Sequence, residues 1–391
     1  VKKIFTLVLA CIGFNFLFAQ SDSCHLRISL LTCTPGFELY STFGHSALRV
    51  TDSSASTDII YNYGTFDFDD PNFYSKFTRG KLLYFVSIDK FGNFLQQYEY
   101  EQRGITEQIL HLSCSEKEKL VAALRENAKE ENKYYKYDFV YDNCTTRLRD
   151  IVFANTNGAV ETKNIRSKNG VSFRNLIHEY LDKSYQYWSK LGIDILLGSP
   201  LDKKLSNSEA MFLPDYLLKG FDSTKVNGVP LVSEKKQILK PTLQSNKSPL
   251  LSPFGIFAIL FIVIALLSVI KSTDRFLAVF DFFLFFFCGA LGILILFMWF
   301  GTDHQTCRNN FNLVWAFPFH FFVVFFIFKK PDWLRYYFLV NAIVLVLLLI
   351  TWKWLPQEMN NALLPIICLL ILRSVIRYKN LNYAGRKNIR L

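Results

Sequence analysis

Cys144 stands in the run Asp142-Asn143-Cys144-Thr145-Thr146-Arg147, and Leu148, Ile151 and Val152 follow at helical spacing. Asp142 or Asn143 is a natural N-cap, which places the cysteine in the first turn of a helix. There the unpaired N–H groups and the positive end of the helix dipole favour thiolate over thiol. The same N–H groups can stabilise an oxyanion when a carbonyl is attacked. A thiolate nucleophile also needs a base, and a third group to orient that base. Among His25, His45, His111 and His178, His45 fits best, because it follows Phe43-Gly44 at the start of a β-rich run, where glycine permits close backbone approach. The next β-rich run carries Asn62 between Tyr61 and Tyr63, so adjacent strands would align His45 with Asn62 as a Cys-His-Asn set requires. By spacing alone, the same residues also read as a small buried thiol and a satisfied core histidine.

The elements that must position this set are those of an α+β domain. Strands are expected over 27–33, 45–50, 58–63, 82–88 and 105–112, with a turn at Thr34-Pro35-Gly36. Ser115 and Glu118 read as a capping box for a helix with Leu120, Val121 and Leu124 on its apolar face.

The second part of the chain has different physics. Of 391 residues, 51% are apolar, 39 are Phe, and the mean hydropathy is +0.18. Such a composition excludes a disordered chain and argues against a cytosolic globular enzyme. Five long apolar segments, 250–270, 276–300, 311–328, 336–355 and 362–376, are each near the length of a membrane-crossing helix. The third and fifth are short enough for re-entrant segments. Residues 1–20 carry two lysines, an apolar stretch and Ala19-Gln20, the order of a secretory signal peptide, so the following segment is expected to be exported.

Lys+Arg number 44 and Asp+Glu 33, a net +11 that falls largely in 271–275, 329–335 and the tail 379–391. With the first helix running inward, those segments face the cytoplasm and 301–310 and 356–361 face outward. No basic stripe interleaved with aromatics marks a nucleic-acid surface. The expected division is a signal peptide (1–20), an exported domain (21–233), a linker (234–249), five membrane helices (250–378) and a basic tail.

Several segments carry a resemblance: LLTCTPGFELYSTFGHSALRV, YNYGTFDFDDPNFYSKFTRGKLLYFV, YDNCTTRLRD, MFLPDYL and TDHQTCRNNFNLVWAFP. Together they resemble the integral-membrane lipoprotein N-acyltransferase family of the Bacteroidota type. The order strand-His, strand-polar, Asn-Cys at a helix start is similar to the circularly permuted papain-like fold of permuted cell-wall amidases and lecithin:retinol acyltransferases.

The resemblance implies an inner-membrane, multi-pass acyltransferase with its catalytic domain in the periplasm. Its acyl donor would be a phospholipid and its acceptor the α-amino group of a diacylated lipoprotein. Cys144 would attack the ester, His45 would serve as base and acid, and Asn62 would hold the imidazole. A phospholipase, a peptidoglycan amidase or peptidase, and a non-catalytic membrane-anchored binding protein are the rival readings.

Other marked positions carry weaker signals. Tyr61 and Tyr63 flank Asn62 and Asn143 precedes the cysteine, so all three are candidates for substrate contact. The polar outward loop, with Asp303, His304, Gln305, Thr306, Asn309 and Asn310, reads either as a solvated loop or as a holder of headgroups or the acceptor amine. Glu38 and Arg49 are candidate supports of the site, and Asp67, Asp69 and Asp70 suit a solvated turn better than a calcium loop. If Cys144 is free, Cys24, Cys33, Cys114 and Cys307 allow three pairings. No CxxC or Cys/His metal spacing occurs, so neither metal nor cofactor is expected.

Overall fold

The computed structural model describes residues 24–166, 170–242 and 252–388. The signal-peptide segment 1–20 lies outside the described residues, as do 243–249 of the expected linker and 389–391 of the tail. The described residues form ten strands: β1 Leu26–Cys33, β2 His45–Asp52, β3 Thr57–Thr65, β4 Leu83–Lys90, β5 Ile105–Leu110, β6 Tyr134–Lys136, β7 Val160–Thr162, β8 Thr224–Val226, β9 Val229–Pro230 and β10 Val232–Leu239. The helices of the first half are α1 Phe73–Thr78, α2 Phe91–Tyr100, α3 Cys114–Asn127, α4 Cys144–Ala154, α5 Phe173–Lys183, α6 Tyr187–Leu196, α7 Asn207–Ala210 and α8 Pro214–Ser223. Those of the second half are α9 Pro253–Leu267, α10 Asp274–Phe300, α11 His320–Val323, α12 Trp333–Thr351 and α13 Leu364–Asn388.

The main sheet is antiparallel in the order β10-β5-β1-β2-β3-β4-β6. Both faces are covered. Leu31, Ala47 and Ile60 pack with Phe94 and Tyr98 of α2, while Leu30, Leu48 and Tyr61 pack with Leu120 of α3, Leu148 of α4 and Phe221 of α8. That double burial explains why β1 is buried along nearly its whole length, its Ser29 and Thr32 included, since a strand covered on each side has no wet face. The disulfide Cys24–Cys114 ties the start of β1 to the first residue of α3.

Three expectations need correction. Residues 234–239 were assigned to the linker, but 232–239 form edge strand β10 on β5. Its polar side chains are mostly exposed, and edge pairing needs only backbone groups, so the hydropathy pattern carries no trace of it. The capping box is Ser113/Glu116, two residues earlier than expected. The S-x-x-E pattern occurs at both registers, and Glu116 is fixed at the earlier one because its carboxylate also accepts from the Asn157 N–H at 2.6 Å.

The third correction concerns the apolar segments. Among the described residues three helices, Lys271–Phe300, Trp333–Thr351 and Asn361–Asn382, are long and apolar enough to cross a membrane, and Pro253–Leu267 is shorter. The segment 311–328 is broken into a 3-10 turn at Phe311–Val314, the single turn α11 and a further 3-10 turn at Val324–Phe326. Pro318 cannot donate to a helical ladder. The irregular backbone instead presses onto α10, where a Cβ on Gly292 would stand 1.9 Å from the Ala316 carbonyl and one on Gly289 2.1 Å from the Phe321 nitrogen. Non-helical backbone at membrane depth is tolerated where protein covers it in this way. His320 is buried and bonds the Tyr337 hydroxyl, and Asn341 donates to Ser374 at 2.9 Å. Asp281 is held between Arg373 and Arg377, so the buried carboxylate is paired on both oxygens.

The two halves are joined by a buried polar hub. Arg174 of α5 is fully buried and donates to Asp194 at 2.7 Å and to Asp202 at 2.9 Å. Asp194 also bonds His178 at 2.8 Å and accepts from Asn360 of an outward loop at 2.8 Å. Asn312 Nδ2 donates to the Asp194 carbonyl at 2.8 Å, and Asn310 Nδ2 to the Ile195 carbonyl at 2.8 Å. Leu191 of α6 belongs to the same apolar cluster as Phe285, Trp315 and Met359.

Replacing Arg174 by Leu would strand a buried carboxylate and two backbone carbonyls. The expected loss is about 3–5 kcal/mol, read as a lowered thermal midpoint of the full chain in detergent. An unchanged midpoint would mean that the hub does not hold the halves together.

Candidate active site

Cys144 is the first residue of α4, and Asn143 is its N-cap with extended backbone. The Asn143 side chain accepts from the Thr146 N–H at 2.9 Å, and the Thr146 hydroxyl accepts from the Asn143 N–H at 2.8 Å. The Asn143 amide donates to the carbonyls of Phe139 at 2.7 Å and Phe212 at 2.8 Å. Every polar group of this buried residue is therefore spent on holding the turn. Asn143 positions Cys144 and has no side-chain donor left over.

His45 opens β2, opposite Cys33 of β1. Gly44, just before it, has φ +82°, and a Cβ there would lie 2.7 Å from the Cys33 carbonyl and 3.5 Å from the Pro214 side chain. The close approach expected of Gly44 is thus real, and it sets the exit direction of the histidine. Asn62 Oδ1 lies 2.5 Å from His45 Nε2. The β3–β4 register shifts between Asn62 and Thr65, and Gly64 within the shift has φ +87°. A bulge of this kind re-aims the side chains beside it. A Cβ on Gly64 would sit 3.5 Å from Cys144 Cβ and 3.8 Å from Tyr137 Cε2. A side chain there would be both strained and crowded against the nucleophile.

The electrostatics favour an ion pair. Burial alone pushes the Cys144 thiol up, but the His45 charge and hydrogen bond, with the N–H groups of Ser46 and Thr145, carry it below its ordinary value of 9.0. Burial likewise opposes the His45 cation, yet the charge and hydrogen bond of Cys144 and the Asn62 oxygen raise it above 6.5. With Nε2–H donated to Asn62, Nδ1 is the ring nitrogen left to face the thiol. The two shifts run in the direction of a thiolate–imidazolium pair, with Asn62 at the imidazole and one strand N–H and one helix-start N–H at the sulfur. Groups of these types in this arrangement can attack a carbonyl carbon.

The structure brings Cys144, His45 and Asn62 together and separates the rest. Tyr61 and Tyr63 are each 1% exposed. The Tyr63 hydroxyl accepts from Asn127 at 2.8 Å, and Tyr61 is paired with Arg125. Both are core residues beneath the site, because alternation along β3 turns them towards α3. His304 Nε2 donates to the Phe77 carbonyl at 3.1 Å, and the Asn309 carbonyl accepts from the Ser199 N–H at 3.2 Å. The polar outward loop is therefore largely a seam between the halves. Arg49 pairs with Asp58 and Glu107, and the Glu38 carbonyl accepts from Ser41 and Thr42. Asp67 and Asp70 satisfy the Asp69 N–H and Lys76. Cys33 and Cys307 are buried and free.

Sequence reasoning overlooked the N–H of Ser46 and the part played by MFLPDYL, and it read Gly64, beside Asn62, only as packing and a turn. That run supplies the Phe212 carbonyl that holds Asn143 and the Pro214 ring beside Gly44. Its presence among the resembling segments was the available signal.

A family model described as the Lnb N-terminal periplasmic domain matches residues 15–179, and one described as the Lnb transmembrane domain matches residues 244–383. No curated protein and no solved structure matches the chain.

The pair predicts a pH profile. Alkylation of Cys144 by iodoacetamide should persist well below pH 9.0 and decline only as pH falls through the lowered thiol value. In His45→Ala the cation is gone, so the profile should move to higher pH. Identical profiles for the two proteins would dismiss the ion pair.

Proposed function

The chain belongs to the Lnb family of lipoprotein N-acyltransferases, and on that premise we propose that it moves a fatty acyl chain from a phospholipid to a lipoprotein N-terminus. The family indicates a membrane protein with a periplasmic domain, and an inner-membrane, multi-pass placement agrees with the positive flanks of the apolar segments. The observation that carries the reading is the Cys144–His45–Asn62 set in a domain sewn onto apolar helices. Such a placement suits reactants whose chains lie in a bilayer.

In the first half-reaction the Cys144 thiolate attacks the phospholipid ester carbonyl. The N–H groups of Ser46 and Thr145, which hold the thiolate, are placed to pass to the oxyanion as the sulfur loses its charge. The tetrahedral adduct expels the lysophospholipid alkoxide, which takes the proton from His45. A thioester remains on Cys144. In the second half-reaction the lipoprotein α-amine attacks the thioester carbonyl, His45 takes the amine proton, and the Cys144 thiolate departs. The products are an N-acyl amide and the starting ion pair. Asn62 keeps the Nε2–H pointing away from the sulfur, so that Nδ1 handles both protons.

The test is mass spectrometry of lipoprotein N-termini from a host that lacks its own N-acyltransferase. Expression of the intact chain should give triacylated N-termini, and Cys144→Ala or His45→Ala should leave them diacylated. Diacylated N-termini with the intact, inserted chain, together with release of free fatty acid, would replace transfer by phospholipid hydrolysis.

A further inference from the structure

Residues 66–80 connect β3 to β4 and carry Phe66, Phe68, Phe73, Tyr74 and Phe77. Water should drive such rings inward, yet Phe68 is 68%, Tyr74 80% and Phe77 51% exposed. Their location accounts for it. The C-terminal end of α1 is held by the chain that leaves span α10. The Asp303 N–H donates to the Arg79 carbonyl at 2.9 Å, His304 donates to the Phe77 carbonyl at 3.1 Å, and a side chain on Gly80 would stand 3.3 Å from His304. Because α10 ends at Phe300, α1 lies where that helix leaves the apolar layer. At this level the phenolic edge of Tyr74 can stay wet while the Phe68 and Phe77 rings enter the apolar layer.

The same rings lead inward. Phe68 packs on Phe66 with centroids 4.8 Å apart, Phe66 on Tyr84 at 5.2 Å, and Tyr84 stacks on Tyr137 at 4.3 Å. Tyr137 and Cys144 both border Gly64. A continuous row of rings therefore joins the exposed loop to the thiol. Asp67, Asp69 and Asp70 are offset by Lys76 and Arg79 within the segment and by Lys81 just after it, so the surface offers apolar contact and little net charge.

We propose that segment 66–80 is a membrane-interface element. It seats its exposed rings in the adjoining leaflet and guides the acyl chain of a leaflet phospholipid along the row of rings to Cys144. The proposal rests on the reading that Cys144 takes its acyl group from a lipid. Because the contact is apolar, it should survive high salt.

The test places the full chain in vesicles of phosphatidylethanolamine and phosphatidylglycerol. A phosphatidylethanolamine bearing a diazirine close to its ester is included, and the labelled peptides are mapped after irradiation. Label within 66–80 at both low and high salt is expected. Label confined to the membrane helices would overturn the proposal. In the variant Phe68→Ser/Tyr74→Ser/Phe77→Ser, the Cys144 thioester should form from vesicle phospholipid at least about tenfold more slowly, as lost apolar contact predicts. Alkylation of Cys144 by iodoacetamide certifies that the site is folded, and an unchanged thioester rate would also overturn the proposal. If the intact chain forms no thioester, the acyl-transfer reading fails, while the label map still decides whether the segment meets lipid.

Discussion

A thiolate and an imidazolium can share a half-buried cleft only where fixed groups meet each charge. Desolvation opposes both ions here, and their mutual attraction with two N–H donors reverses it. The surrounding structure follows from keeping these partners in place. Asn143 spends its whole side chain on the turn that presents Cys144. Gly44 lets β2 start close against β1, so that His45 emerges at the right point, and Gly64 leaves the space beside the cysteine. Asn62 sits where the register of two strands slips, which is what aims its oxygen at the ring. Most of these devices are made of backbone, or, at Asn143, of a side chain fully used within the fold.

The second constraint is height above the membrane helices. Charges as deeply buried as Arg174 and Asp194 are costly unless fully satisfied, and here Asn360 reaches the Asp194 carboxylate while Asn312 takes its backbone carbonyl. The polar residues of 301–312 are used in this way, which explains their number at the end of an apolar helix. One consequence is that the aromatic segment 66–80 is pinned to the same seam. The exported domain is thus fixed against the helices at several points, and a lipid-borne group entering from the apolar layer would meet a site at a defined distance.

Local signals made much of the fold legible. Alternating and apolar runs gave the first five strands of the main sheet to within a few residues, and the Asn-Cys-Thr-Thr run gave the nucleophile helix with its cap. Where two readings shared one local pattern, the sequence could not choose between them. The capping box had two registers, and contact with distant Asn157 fixed one. Strand β10 had no apolar signature because an edge needs none. Tyr61 and Tyr63 flank Asn62 in the chain but are turned away from it by strand alternation.

The sequence by itself determined the residue types of the site, the membrane character of the second half and the family resemblance. These are properties of composition, period and motif, which do not depend on what the chain folds against. The tertiary structure decided that Phe212 and Pro214, far from the cysteine in sequence, hold its turn and its histidine's strand. It also decided that the polar outward loop forms largely a seam and that the third apolar segment is bent onto two glycines of α10. Those outcomes depend on backbone groups meeting across long sequence separations, and a backbone N–H or carbonyl reads the same at every residue until the fold gives it a partner.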